Sequence, residues 1–239
     1  MNYAIKAVVL AGGLGTRLYP LTRKTAKCML PINDKPLLEH IIKYLAGHDI
    51  KEIIITVGNK RKQIMDYFGN GTQFGVKLQY SVERKALGTA GSFKNTGKLI
   101  VGTTLVMQGD TLTNFALDEI ISFHKKKKAI ATIALTSVQN TKGYGVTIVD
   151  SNKRITRFEE KPASSFSNLV NSGIYVLEYD ILDYIPKNKT FDFSMDLFPL
   201  LLKNKLPLYG MEVSGYWFDI GTPGSYKNAM EYFQSHGTN

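Results

Sequence analysis

The stretch Ala7-Val8-Val9-Leu10-Ala11-Gly12-Gly13-Leu14-Gly15-Thr16-Arg17-Leu18-Tyr19-Pro20-Leu21-Thr22, with Lys27 just beyond it, decides how this chain is read. Its first four residues are an apolar run, the pattern of a buried strand. Gly12, Gly13 and Gly15 follow. Glycines let a backbone turn sharply and approach a ligand, with N–H groups free to point at anionic oxygens. Arg17 adds a planar, permanently charged fork that matches phosphate, and Lys27 adds a compact second cation. The stretch reads as a loop that holds a polyphosphate at the end of a core strand. A bare surface turn is the alternative, but it needs no Arg and Lys beside its glycines. Two common glycine-rich fingerprints do not fit. Leu18 stands where the dinucleotide pattern needs its last glycine, and the string G-x-x-x-x-G-K-[ST] occurs nowhere in the chain.

Outward from this loop, strands and helices alternate, which predicts an α/β fold with a doubly wound, mostly parallel, Rossmann-like sheet. A helix with Leu37, Leu38, Ile41, Ile42 and Leu45 on one stripe opens at Pro36. Ile53 to Val57 is a strand, Lys60 to Phe68 a helix, and Val76 to Val82 a strand. A short helix is expected over Thr89 to Lys98, a core strand over Thr104 to Gln108, a helix over Asn114 to Lys126 and a strand over Ala129 to Val138. The texture then changes. Tyr144 to Val149 and Ile155 to Glu160, joined by Asp150-Ser151-Asn152, read as an antiparallel hairpin, and Asn171 to Leu177 as a strand. A helix over Phe193 to Leu202 and a short strand over Tyr216 to Ile220 precede a last helix capped by Thr222, with Pro223 in its first turn, running to about Ser235. No linker or repeat interrupts residues 1–239. One domain is expected, with residues 1–138 as its nucleotide-binding half and 139–239 as a second half carrying the hairpin.

The chain has 239 residues, 44% of them hydrophobic, which suits one large domain with a sizeable core. Its formal net charge is +10, which favours anionic partners. Small anions fit best, because cations cluster beside the glycine loop. Lys125 to Lys128 is the candidate for nucleic acid or membrane, and also reads as the solvated, dipole-compatible end of a helix. Cys28 stands alone, so no disulfide forms within the chain. No apolar run approaches the roughly 20 residues that span a bilayer. Met1 to Lys6 lead directly into the first strand without a signal peptide. The expectation is a cytoplasmic protein with neither nucleic acid nor membrane as partner.

Asp110 ends the apolar strand Thr104 to Gln108 after Gly109, and ligands of open α/β sheets bind at that edge. A carboxylate there would repel phosphate unless a cation intervened. Mg²⁺ suits, since it takes oxygen ligands from carboxylates and phosphates. A turn Asp capping the next loop is the alternative. Asp219, before Gly221-Thr222-Pro223, reads alone as turn chemistry.

The run Gly12-Gly13-x-Gly15-Thr16-Arg17-Leu18-x-Pro20-Leu21-Thr22, then Lys27, Leu30-Pro31 and Lys35-Pro36, resembles the signature of the sugar-1-phosphate nucleotidylyltransferases, also called NDP-sugar pyrophosphorylases. One departure is Cys28, where the family usually has Pro. The resemblance implies the nucleotide-diphospho-sugar transferase fold. It also implies an EC 2.7.7-type enzyme that converts a nucleoside triphosphate and a sugar 1-phosphate into an NDP-sugar and pyrophosphate. Longer relatives carry a C-terminal β-helix, and the chain ends before one could begin. Homo-oligomers are common in the family.

Residue by residue, the resemblance implies a nucleotide site from Leu10, Ala11, Gly12, Gly13, Gly15, Thr16, Arg17, Lys27, Gly109 and Asp110. Glu83, Gly88 and Thr89 fall in the string that resembles the family's base-reading loop. Asp110 and Asp219 become the metal ligands, the latter through Trp217-x-Asp219-x-Gly221-Thr222-Pro223. Gly145, Glu160, Lys161 and Asn171 become the sugar-phosphate site, with Lys161 on the phosphate. One Lys–phosphate contact at about 4 Å contributes roughly 4 kcal/mol at a surface-like dielectric, before desolvation. Arg17, Lys27, Asp110 and Lys161 are the catalytic set. No general base is needed, because the attacking phosphate is already an anion.

Members that transfer thymidylyl or uridylyl groups often place Gln where Glu83 falls. Gln donates and accepts, which suits thymine or uracil, whereas a carboxylate only accepts. Guanine offers two donors on one edge. Glu83 therefore points to GTP, and the context Leu87-Gly88-Thr89-Ala90-Gly91 resembles the mannose-1-phosphate guanylyltransferases, which implies mannose or heptose 1-phosphate as the sugar substrate. A dTTP- or UTP-using glucose-1-phosphate enzyme is the alternative. A glycosyltransferase would normally carry D-x-D, and Asp110-Thr111-Leu112 lacks it. A non-catalytic sensing relative tends to lose the loop cations that this chain keeps.

Overall fold

A computed structural model describes residues 5–236, and the expected lead-in over Met1 to Ala4 lies outside them. In chain order the elements begin with β1 (Lys6–Leu10), β2 (Pro31–Ile32), β3 (Lys35–Pro36), α1 (Leu37–Gly47), β4 (Glu52–Val57), α2 (Arg61–Phe68) and β5 (Lys77–Val82). Then come α3 (Gly88–Asn95), β6 (Thr104–Gln108), β7 (Thr111–Thr113), α4 (Leu117–Lys127), β8 (Ala131–Ser137), β9 (Gly145–Val149) and β10 (Ile155–Glu160). The chain continues with β11 (Leu169–Leu177), α5 (Phe198–Lys203), β12 (Leu208–Glu212), β13 (Trp217–Asp219) and α6 (Pro223–His236). No helix of the described residues is long and apolar enough to cross a membrane.

β1 lies between β4 and β6, parallel to both, and β5 continues the parallel run beyond β4. Both faces of this strand are buried, which is why its sequence is apolar without alternation. Ala7 and Val9 face one core with Ile53, Ile55 and Met107. Val8 and Leu10 face the other with Ile54 and Val106. Helix residues Ile41, Ile64, Ile120 and Phe233 cover the first face, and Phe93, Phe198 and Leu201 cover the second. Helices on both faces make the sheet doubly wound. Each buried Ile or Phe contributes about 1.5–3 kcal/mol relative to exposure.

The second half joins the same nine-stranded sheet. β11 runs antiparallel to β6 through Ile174 to Leu177, then meets β9 through Val170, while β8 follows it on the other side. The change of partner is made between Asn171 and Tyr175, where the register shifts. Gly173 sits there at φ +82, and a Cβ on it would lie 2.8 Å from Gln108 Cγ. β9 and β10 form the expected hairpin, and β12 adds parallel to β8.

Four features differ from the expected string, one of them β7, which lies between the expected core strand and the expected helix from Asn114. The helix over Phe193 to Leu202 divides into a π turn, Phe193–Leu197, and α5. Pro199 lacks the N–H that would carry one α-helix through, and Leu197 N–H reaches five residues back to Asp192 O at 3.0 Å. β12 was not expected, because Gly210 hides its alternation. A Cβ there would lie 2.5 Å from Leu135 Cδ1. The two-residue strands β2 and β3 are too short for any period to show.

The ends of β1 and β6 touch at Gly109, whose N–H donates to Leu10 O at 3.0 Å. A Cβ on Gly109 would lie 2.7 Å from that same oxygen. Gly109→Ala should therefore cost about 1–3 kcal/mol by forcing the strand ends apart. Urea unfolding measures this, and wild-type stability in the variant would refute the close approach.

Candidate active site

The glycine loop leaves the sheet at Ala11, whose N–H still donates to Thr56 O at 3.2 Å. Gly15 takes the left-handed conformation, φ 67, and its carbonyl accepts from Thr22 Oγ1 at 2.6 Å and from Leu18 N at 3.0 Å. A Cβ on Gly15 would lie 3.1 Å from Lys27 Cβ, so this turn lays the loop against the Lys27 stem. Arg17 remains exposed at the rim.

Below the loop is a cavity of about 400 Å³, bounded by the glycine loop, Lys27, Glu83, Ala86 to Thr89 and Gln108 to Asp110. A second cavity of about 430 Å³ adjoins it, bounded by Tyr144, Gly145, Glu160, Lys161, Asn171 to Gly173, Trp217 and Asp219. Arg17, Thr89, Gln108, Asp110 and Asp192 line both. The sheet thus brings the residues expected for nucleotide and those expected for sugar phosphate to one edge, in two joined chambers.

Asp110 and Asp219 meet through main-chain pairing. β13 runs antiparallel to β7 with Asp219 opposite Thr111, and Ile220 N–H donates to Asp110 O at 2.9 Å. Burial, and then the negative charge of Asp110, push the Asp219 carboxyl up to about 6, against the pull of Lys27, Arg17 and Lys161. Lys27 Nζ donates to Asp110 Oδ2. A Cβ on Gly221 would lie 3.3 Å from Arg17 Nη2 and 3.4 Å from both Asp219 carboxylate oxygens. Two carboxylates held against their own repulsion, with phosphate-sized space beside them, fit a hard cation that completes its shell with phosphate and water. Among the described residues no group of three or more His, Cys, Asp and Glu is arranged to hold a metal alone, so any cation here would share its ligands with substrate.

Glu83 forms the inner wall of the first cavity and is 8% exposed. A Cβ on Gly12 would lie 3.1 Å from its Oε1, and that oxygen has no hydrogen-bond partner among the described residues. Burial pushes the Glu83 carboxyl above its ordinary range, while the nearby Ser92 and Thr56 hydroxyls and the Leu87 backbone oppose the shift.

At the second cavity, Lys161 takes φ +49 at the end of β10, and its N–H donates to Tyr144 O at 3.0 Å. Its Nζ lies 3.2 Å from Glu160 Oε1. A Cβ on Gly145 would lie 2.8 Å from Glu160 Oε2, so the glycine makes room for that carboxylate. Asn171 is more committed to the scaffold than its sequence reading implies. Its Nδ2 donates to Tyr175 OH at 3.0 Å and to Ser194 Oγ at 3.1 Å, and its Oδ1 accepts from Gly173 N at 2.9 Å. Gln108, Asp192, Ser194 and Met195 line the site and were not anticipated. Gln108 could have been found, since period two puts it on the same side of the strand end as Asp110. Asp192 carried no signal beyond its place at a helix start. Its Oδ1 accepts from both Thr89 N and Thr89 Oγ1 at 3.0 Å, and Thr89 Oγ1 accepts from Phe193 N at 2.9 Å. Cys28 is buried, and burial lifts its thiol to about 12, so it is chemically inert beside Lys27.

The α/β sheet thus carries a glycine loop, two converging carboxylates and a cationic rim at one edge of its strands. The chain belongs to the nucleotidyl transferase family, whose sequence profile matches residues 6–236. It is 36% identical over 95% of its length to a UTP–glucose-1-phosphate uridylyltransferase of Synechocystis. It is 34% identical over 93% of its length to a mannose-1-phosphate guanylyltransferase of Mycobacterium tuberculosis. The chain spans 62% of the length of each of these relatives. Among solved structures, a putative glucose-1-phosphate thymidylyltransferase from Bacillus anthracis, in complex with a sucrose, superposes with TM-score 0.88 at 30% identity, over 96% of this chain and 95% of that one. HddC from Yersinia pseudotuberculosis, complexed with GMP-PN, superposes with TM-score 0.83 at 29% identity, over 96% and 99%.

Because the folded state raises the Glu83 carboxyl above 4.5, it binds that proton more tightly than the unfolded chain. The stability this contributes is complete below pH 4.5 and is lost as pH rises through the folded value. Glu83→Gln removes the dependence. Its melting temperature should exceed that of wild type near neutrality, and the gain should vanish on acidification. A difference that is constant with pH would show that burial does not penalise this carboxylate.

Proposed function

We propose that the protein is a sugar-1-phosphate nucleotidylyltransferase, converting a nucleoside triphosphate and a sugar 1-phosphate into an NDP-sugar and pyrophosphate. The convergence of Asp110 and Asp219, between two chambers bounded by Arg17, Lys27 and Lys161, carries this reading. The glycine-loop amides and Arg17 hold the β- and γ-phosphates. Lys27 exchanges its contact with Asp110 for the α-phosphate, where charge builds up as the bond to pyrophosphate breaks. Lys161 orients the sugar phosphate so that its oxygen approaches the α-phosphorus in line. That nucleophile is anionic at neutral pH, so positioning and charge stabilisation are the protein's task. Asp110 and Asp219 would hold a divalent cation, Mg²⁺, which neutralises phosphate charge when bound. Gly145, Glu160 and Asn171 border the sugar.

GTP is the nucleotide read here, with mannose or heptose 1-phosphate as acceptor. Glu83 supports it, because a carboxylate accepts from both donors on the guanine edge. The guanylyltransferase relative and the GMP-PN complex of HddC agree with that choice. A UTP- or dTTP-using glucose-1-phosphate enzyme is the second reading. It is favoured by the uridylyltransferase relative and by the upward shift of the Glu83 carboxyl. Both readings use small anionic substrates of the cytoplasm, with neither nucleic acid nor membrane involved.

Arg17→Ala should lower the melting temperature only slightly, because Arg17 is exposed at the rim and its pull on Asp219 is screened by solvent. It should lower turnover by about two to three orders of magnitude, the usual cost of one lost transition-state donor. Released pyrophosphate, scored across four nucleoside triphosphates and several sugar 1-phosphates, measures this. Near-normal turnover in the variant would remove Arg17 from the reaction. Nucleotide binding without pyrophosphate would point to a sensing protein. Chelating divalent cations should abolish turnover, Mg²⁺ should restore it, and Asp219→Asn should raise the Mg²⁺ concentration needed for half-maximal rate. Full activity in chelator would contradict a two-carboxylate metal site.

A further inference from the structure

The buried Glu83 carboxyl faces two demands. The guanine edge needs two acceptors, whereas uracil and thymine need one donor beside one acceptor. We infer that Glu83 reads both classes of base, taking guanine as a carboxylate and uracil or thymine as a neutral acid, so that nucleotide preference follows its protonation. This rests on the nucleotidyl-transfer reading above and adds a rule for base choice.

The geometry supplies the reasons. Oε1 is buried against Gly12 and has no hydrogen-bond partner among the described residues. Thr56 Oγ1, also buried, lacks one too. An unpaired buried acceptor is costly, and an incoming base edge can relieve it. No charged side chain locks the carboxyl in one state. The glycine loop presents Gly12, β4 presents Thr56 and α3 presents Ser92, none of which titrates in the working range. The flanking Arg84 and Lys85 are exposed, and Lys85 Nζ is turned away to Asn188 O at 2.9 Å. In its neutral form a glutamic acid places O–H and C=O on one planar group, the same donor–acceptor pair as the amide of glutamine. The upward shift of this carboxyl brings the neutral form closer to the working pH range.

The test is the ratio of kcat/KM for GTP to that for UTP, each with its sugar 1-phosphate in excess, from about pH 5.5 to about pH 8.5. Groups that act on both reactions alike cancel in the ratio. The ratio should climb with pH, by up to about tenfold per unit, the limit for one proton that separates the two substrates. In Glu83→Gln the ratio should be flat and shifted toward UTP, with the melting temperature confirming that the variant folds. A flat ratio in the wild type, or the wild-type slope persisting in Glu83→Gln, would overturn the inference. The same ratio is read independently in dissociation constants of GTP and UTP, by competition against a fluorescent nucleotide. A slope there without pyrophosphate release would sink the proposed reaction and keep the base rule. Equal pH dependence of the two constants would sink the base rule whatever the turnover.

Discussion

Two like charges held together at a sheet edge organise this molecule. Asp110 leaves the end of β6 and Asp219 leaves β13, and one main-chain bond, Ile220 N–H to Asp110 O, fixes their approach. The pairing of β13 with β7 turns that contact into a ladder. Carboxylates so placed repel, and burial, with the charge of Asp110 added to it, pushes the Asp219 carboxyl up to about 6. Lys27, Arg17 and Lys161 surround the pair and offset part of the repulsion. A site in this condition is prepared for more positive charge and for phosphates to bridge it. The glycine loop, the hairpin and α6 can be understood as what keeps these groups in place.

How much of this the sequence discloses depends on whether the decisive signal is local. The strand β1 is legible because both of its faces are buried, so four apolar residues stand in a row. The loop beyond is legible because glycine, Arg and Lys in that order have few other uses. Asp219 is different. Its partner lies on another strand, and an Asp before Gly-Thr-Pro has an ordinary turn explanation. Only the resemblance to a family motif made it a ligand candidate. Asn171 shows the opposite case. The motif places it at the sugar, and the structure does border that cavity with it, yet its amide is already bound to Tyr175 and Ser194. Pro199 contained enough information to break the helix over residues 193–202, because a missing N–H is a local fact.

Asp192 explains how the two chambers can act as one. It lies on the wall that both share, and its carboxylate holds Thr89, in the first turn of α3, by two hydrogen bonds. The adjoining backbone is equally involved. Phe191 N–H donates to Leu87 O at 2.8 Å, Gly91 N–H donates to Phe191 O at 2.9 Å, and a Cβ on Gly88 would lie 2.7 Å from Phe191 O. The segment then enters the π turn that brings Ser194 and Met195 to the second cavity. Residues 87–91 and the wall of the second cavity are thereby tied together by main-chain hydrogen bonds.

The chain's 30 Lys and Arg, against 20 Asp and Glu, include two clusters with different explanations. At the site, Arg17, Lys27 and Lys161 gather around carboxylates and open space, the arrangement that concentrates anionic substrate. The lysine run at the end of α4 behaves otherwise. Lys127 donates to Asn152 and lies 5.8 Å from the Phe123 ring centroid and 5.6 Å from that of Tyr209. Lys128 closes the helix in the left-handed conformation, with its N–H on Lys125 O. Cations in a last turn also oppose the helix dipole. These contacts account for the run as a helix terminus, whereas Lys27, bonded to Asp110, and Arg17, beside Asp219, line open space together with those carboxylates. That contrast, rather than the total, sets the site cations apart: they neutralise carboxylates at the edge of open space, whereas the cations at the α4 terminus are bound up with that helix end.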